Sequence, residues 1–231
     1  TNPAVVAYDP AFAFEVGHIV KDGLRRMYGE NSENIYYYLT VYNEPYVQPT
    51  EPENLDIDGL LKGIYQYSPS KGEAKHRAQI LASGVSLNWA LKAQQLLEED
   101  WGVSASVWSV TSWNELRRDG LETNKHNLLH PRDQKKAYIA TKLEGAQGPV
   151  VAVSDFMRGV QDQILPWVEQ PFLSLGTDGF GLSDTRGALR RHFTVDAQSI
   201  AIAVLSQLAH IGDIHTSLVE DAINTYQFFD I

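Results

Sequence analysis

Cysteine is absent from the 231 residues. That excludes a disulfide scaffold and thiol catalysis, and it removes the thiolates on which zinc sites commonly rely. Long apolar runs are missing as well: none approaches the ~20 residues a helix needs to cross a bilayer, and no charged-then-apolar signal opens the chain. The expectation is a soluble, cytoplasmic protein with no membrane partner. Positive charge is scarce, 19 Lys and Arg against 29 Asp and Glu, for a formal net charge of −10. This balance opposes attraction to nucleic acid or anionic lipid. What is present is ordinary globular composition, 43% hydrophobic and 21% charged, which rules out a disordered or collagen-like chain. The length suits one full domain with a second piece attached, and an opening at Thr1 rather than Met reads as part of something longer.

The first segment predicts a helix and a strand. Asp9 is placed to cap a helix with Pro10 at its first position. Phe12, Val16, Ile19, Val20, Leu24 and Met27 then recur at helical spacing, Arg25 and Arg26 suit the last turn, and Gly29 stops it. Ile35–Val41, rich in aromatic and β-branched residues, reads as a strand. One helix and one strand cannot bury both their faces, so they call for a sheet preceding them, and exposed apolar surface on the helix favours association. Asn43–Asp58, with prolines at 45, 49 and 52, reads as an extended linker and domain boundary.

Beyond it, short apolar runs alternate with helical patterns. Ala78–Ser83, Val103–Val110, Val150–Val153 and Phe172–Leu175 are predicted strands, with Ile64–Tyr67 as an edge strand. Helices are expected after each: one carrying Trp89, Ala93, Leu96 and Leu97; a turn at Trp113–Arg118 capped by Thr111 or Ser112; one capped by Asp155 with Met157, Val160 and Ile164; one at Thr185–His192; one capped by Asp196 and stopped by Gly212; and a last one opened by a Ser217/Glu220 capping box. Leu128–Leu143 reads as loop and then helix. Such alternation implies parallel strands joined by right-handed crossovers and covered on both faces. The predicted fold is α/β, a three-layer αβα sandwich with a mostly parallel sheet.

In such a sheet ligands sit beyond the carboxyl ends of the strands. The residues there are Ser83, Gly84, Ser86, Thr111, Ser112, Ser154, Asp155, Thr177 and Asp178. Hydrogen bonding to a ligand is one reading of this polar rim, and capping with tight turns is the other. The loop Gly176, Thr177, Asp178, Gly179, Phe180 and Gly181 is the most conspicuous local feature, because three glycines allow sharp turning or close approach. It lacks the glycine spacing of a dinucleotide fingerprint and the Lys-Ser/Thr ending of a phosphate loop, so it reads as an interface loop packing on a partner surface. His126 and His130 are four apart, but Asn127 stands where a zinc enzyme places its glutamate and Pro131 ends the segment. That pair, with Asp119, Glu122 and Asp133 nearby, reads as solvated loop rather than metal site. His192 fits a charged helix end and His18 a helix interior. No nucleophile elbow occurs and no lysine stands out as activated. No catalytic, cofactor-binding or metal residue is assigned.

Several segments in order nevertheless look familiar: Tyr8–Val16, Asp22–Gly29, Asn34–Tyr38, Asn43–Tyr46, Gly63–Tyr65, Ser109–Gly120, Leu129–Pro131, Gly176–Gly181, Ser183–Arg186 and Leu189–Phe193. Together they resemble the homodimeric pyruvate dehydrogenase component, with Asn54–Gly59 and Gly72–Arg77 free to vary. The resemblance implies residues 1–45 as the last helix and strand of a pyrimidine-binding-type domain, 46–62 as linker, and 63–231 as a transketolase-type C-terminal domain. It implies thiamine diphosphate and magnesium in the parent enzyme, pyruvate as substrate, a second copy of the chain, and a dihydrolipoamide acetyltransferase partner. Family members hold magnesium and diphosphate with a Gly-Asp-Gly stretch followed by paired asparagines. Neither occurs here, so the segment alone is expected to bind no cofactor and turn over no substrate, and to serve as dimer and active-site-entrance scaffolding. A noncatalytic assembly or regulatory domain, and a related transketolase-like 2-oxo acid dehydrogenase, stand as alternatives.

Overall fold

A computed structural model describes residues 2–71 and 74–229; Gly72, where the resemblance lapses, and Thr1 lie outside the described residues. The β-branched and small residues of the second half form the main sheet, in the order β3(Tyr65–Ser68), β5(Val103–Ser109), β4(His76–Ala82), β6(Val150–Val153), β7(Phe172–Leu175). All neighbours are parallel except β3, which lies antiparallel on β5 at the edge. This is the predicted α/β architecture, and the bounds of β6 and β7 are those read from the sequence.

Alternation along the strands explains the two helical layers. Ala78, Ile80, Ala82, Val103, Ala105, Val107, Val151 and Val153 point to one face, where α3(Ser86–Trp101), α8(Ala197–His210) and α9(Thr216–Thr225) cover them. Leu81, Trp108, Val150 and Ala152 point to the other, beneath α4(Trp113–Leu129), α5(Tyr138–Lys142) and the 3₁₀ stretch Asp162–Trp167 that follows α6(Arg158–Gln161). Because both faces are dry, the strands read as apolar runs.

The first segment adds a strand that the sequence patterning missed. β1(Val5–Tyr8) pairs in parallel with β2(Tyr36–Leu39), and α1(Ala13–Tyr28) crosses between them. Val6, Tyr8, Ile19, Leu60 and Tyr65 form a core that joins this unit to the main body. The opposite sheet face is open: Tyr36 and Tyr38 are exposed, as are Val20, Leu24 and Tyr28 of α1. Part of the span read as linker is also ordered locally, since Asp56 caps α2(Ile57–Lys62), accepting from the Gly59 N–H.

Several capping expectations are corrected. Asp9 caps nothing: α1 begins at Ala13, and Glu15 in its first turn reaches back to the N–H groups of Ala11 (2.5 Å) and Phe12 (3.0 Å). Asp155 does not cap either, because α6 starts at Arg158 without a side-chain cap. The final helix is capped by His215, not by a Ser217/Glu220 box. Ser112, Thr185 and Asp196 do cap their helices. α4 runs on to Leu129, so His126 lies in a helical turn rather than a loop, its ring 4.5 Å from that of His130.

Candidate functional site

The Gly-rich loop follows β7 directly and is shaped by close backbone approach. A Cβ on Gly176 would lie 2.4 Å from the Phe156 carbonyl, so only glycine passes there. Thr177 then ties back to the turn after β6, its N–H donating to the Phe156 carbonyl (2.9 Å) and its hydroxyl to that of Asp155 (2.6 Å). Asp178 accepts from the Arg158 N–H (3.0 Å) and Nε (2.5 Å). With its base anchored this way, the loop turns at Gly179 (φ +88°) and presents Phe180, 94% exposed, beside Leu182.

The loop forms one wall of a cleft of about 500 Å³ whose other walls are Tyr42 and Glu44 from the segment after β2, Asp155, and Arg186 and Arg190 of α7(Arg186–His192). Its charged groups already have hydrogen-bond partners. Arg190 is ion-paired with Glu44 and lies 4.9 Å over the Trp89 ring, and Arg186 donates to Asn43 (2.9 Å). Asp155 accepts from the Ser86 hydroxyl (3.1 Å); burial pushes its carboxyl up, against the pull of Arg190. Among the described residues lining the cleft there is no His, Lys or Ser. The arrangement offers Tyr42, Asp155, Arg186 and Arg190 for packing and hydrogen bonding.

Of the rim predicted at the strand ends, Ser83, Gly84 and Thr111 gather around Asp9, which the sequence reads as a helix cap, while Ser86, Asp155, Thr177 and Asp178 make separate contacts. Asp9, 4% exposed, accepts from Ser83 (2.7 Å), Thr40 (2.5 Å) and Tyr42 (2.7 Å), and Ser83 in turn accepts from the Trp113 indole (3.0 Å). Glu15 is fully buried and accepts from Tyr65 (2.7 Å) and Ser109 (2.6 Å) besides its two N–H donors. Burial raises the pKa of both carboxyls, outweighing hydrogen bonds that favour the ion. Thr111 donates to the Leu60 carbonyl (2.5 Å) instead of capping. The one available signal was Asp9 ahead of Pro10 with Glu15 six residues on, at a predicted helix start. Nothing local distinguishes it from helix-start chemistry.

Elsewhere, His126 bonds Asp133 (3.0 Å) and His18 pairs with Glu51 (3.1 Å), both apart from the cleft. No three His, Cys, Asp or Glu side chains among the described residues converge to hold a metal ion. A magnesium diphosphate does not fit this chain's loop either: Asp178 is committed to Arg158, and Glu44 and Asp155 face the cleft.

The family description "Transketolase-like TK C-terminal domain" matches residues 63–196, more than half of the chain. The chain belongs to this family. "Pyruvate dehydrogenase E1 component middle domain" matches residues 1–49. Over its whole length the chain is 54% identical to the pyruvate dehydrogenase E1 component of Mycolicibacterium smegmatis and 56% identical to that of Mycobacterium tuberculosis. Over 96% of its length it is 44% identical to that of Escherichia coli K12. In each case it spans about a quarter of the relative's length. Among solved structures, a Pichia stipitis transketolase complex superposes with TM-score 0.61 at 18% identity, over 92% of this chain and 26% of that one. A split-gene transketolase described as an inactive beta4 tetramer does so with TM-score 0.56 at 18% identity, over 90% and 59%. These likenesses carry the transketolase-like C-terminal fold. No helix among the described residues is long and apolar enough to cross a membrane.

Proposed function

We propose that the chain is the C-terminal quarter of a pyruvate dehydrogenase E1 component. The parent reaction is oxidative decarboxylation of pyruvate in the cytoplasm. Pyruvate loses CO₂, its remaining two carbons are oxidised to the acetyl level, and the disulfide of a lipoyl group on the dihydrolipoamide acetyltransferase partner is reduced, one sulfur taking the acetyl group and the other a proton. The reading is supported above all by identity above one half along the whole chain to relatives of that name. Thiamine diphosphate and magnesium belong to the parent enzyme, where the cofactor supplies the electron sink for decarboxylation.

This segment acts as scaffold. Residues 1–45 end a pyrimidine-binding-type domain, 46–62 link, and 63–231 form the C-terminal domain. The loop Gly176–Gly181 packs at the homodimer or active-site entrance, which fits the anchored base and protruding Phe180. The test is pyruvate decarboxylation by the 231-residue chain and by its longer parent, each given thiamine diphosphate and magnesium. The parent is expected to turn over and the chain is not. Turnover by the chain alone overturns the scaffold role, and a parent inert toward pyruvate overturns the substrate.

A further inference from the structure

The strand order reverses direction between β4 and β6, since the chain moves from β4 outward to β5 and then returns to add β6 on β4's other side. In an open parallel sheet this switch point opens the crevice in which ligands are held. Beside that crevice, over the ends of β4 and β5, the chain packs its own first segment. Asp9, the first residue after β1, donates its N–H to the Thr111 carbonyl (2.8 Å) and accepts the Gly84 N–H on its own carbonyl (3.0 Å). Its carboxylate holds Ser83 at the end of β4, and Thr40 and Tyr42 just after β2. The Tyr42 hydroxyl sits over Gly84 so closely that a Cβ there would lie 2.3 Å from it. One buried carboxylate therefore joins the carboxyl ends of β1, β2 and β4. Among the described residues no Lys or Arg donates a hydrogen bond to it. Burying such a group is costly, and simple packing would be served as well by apolar side chains.

We infer that the carboxyl ends of β4 and β5 serve as a socket for the carboxyl ends of β1 and β2, with Asp9 as its positioning residue, so that this domain sets where the strand ends of the preceding domain lie. Those ends are where an open parallel sheet carries its reacting groups. The consequence for turnover rests on the proposed function; the socket itself rests on geometry.

The experiment uses the full-length parent enzyme, unaltered and as Asp9→Ala, Asp9→Asn and Ser83→Ala. Hydrogen exchange is followed across Val5–Tyr8 and Tyr36–Thr40, with α8 as the remote control, alongside kcat and KM for pyruvate. In Asp9→Ala, exchange at both strands rises about tenfold or more while α8 is unchanged. Its kcat falls about tenfold with KM held within about twofold, since displaced groups lose rate before affinity. Asp9→Asn, whose amide can pair with the same hydroxyls once they turn, recovers most of both, and Ser83→Ala falls between. Unchanged exchange in Asp9→Ala and Ser83→Ala overturns the socket. Raised exchange with wild-type kcat, measured well below the melting temperature, overturns the positioning role. If Asp9→Ala does not fold, Ser83→Ala and Asp9→Asn decide by the same criteria. An unaltered parent without pyruvate turnover defeats the proposed function instead, and the exchange comparison still judges the socket.

Discussion

Glu15 shows how much one buried side chain can hold. It lies in the first turn of α1, where a carboxylate suits the helix dipole, yet half its partners are Tyr65 and Ser109, far along the chain. Glu15→Ala would orphan four donors, a cost of more than about 3 kcal/mol read from urea unfolding. Glu15→Gln should cost less, because both hydroxyls can turn to accept from the new amide. Gly84 is constrained twice, by its left-handed backbone (φ +53°) and by the Tyr42 hydroxyl. Gly84→Ala is expected to lose about 2 kcal/mol or more, and adding Tyr42→Ala should return only the steric share. Titration of the buried carboxyls has a definite sign. Asp9, Glu15 and Asp155 have folded-state pKa values raised by burial. Their stabilising contribution is complete below the ordinary carboxylate values and is lost as pH rises through the raised ones. The melting temperature should therefore fall as pH rises above the ordinary carboxylate range of about 4, and Asp9→Asn should flatten that fall.

Elements differ in how openly the sequence declared them. β6 and β7 were legible because each is a four-residue apolar run between turn residues. β1 was not, since Val5–Tyr8 is equally short and sits between Pro3 and Pro10, where turn signals dominate. α4 outran its predicted turn because Arg117–Lys125 is mostly polar and so shows little apolar period; only Trp113, Leu116 and Gly120 of that helix are buried. The caps at Asp9 and Asp155 failed for another reason: distant hydroxyls outcompeted the local N–H groups. Between elements, α7 is held to the segment after β2 by Arg190 and Glu44. Arg190→Met should cost about 1–3 kcal/mol by leaving Glu44 unpaired beside Asp155, and Glu44→Gln in the same chain should restore part of it. A double-mutant cycle in denaturant measures the coupling.

At the scale of the molecule, the first segment and the main body share a core and two buried carboxylates, so they are expected to unfold together. Circular dichroism and tryptophan fluorescence should give coincident transitions in urea. The open face with Tyr36 and Tyr38, next to the half-exposed Val5 and Ala7, is a contiguous apolar surface. Sedimentation should show self-association of the isolated chain that Tyr36→Lys with Tyr38→Lys weakens.

Periodicity was enough to establish the α/β class and most strands, because those depend on patterns that local chemistry and burial on both sheet faces impose, while the family was legible only through its resemblance to ordered segments of known members. The tight turn at Gly176–Gly181 was also visible, since its glycines are a local demand. Which carboxylates are buried, which serine holds which, and that the ends of β4 and β5 are covered by the chain's own first segment were decided only in three dimensions. Asp9 meets its side-chain partners 31 to 74 residues away and Glu15 meets Ser109 at a distance of 94. No local pattern carries the energy of contacts that only folding creates.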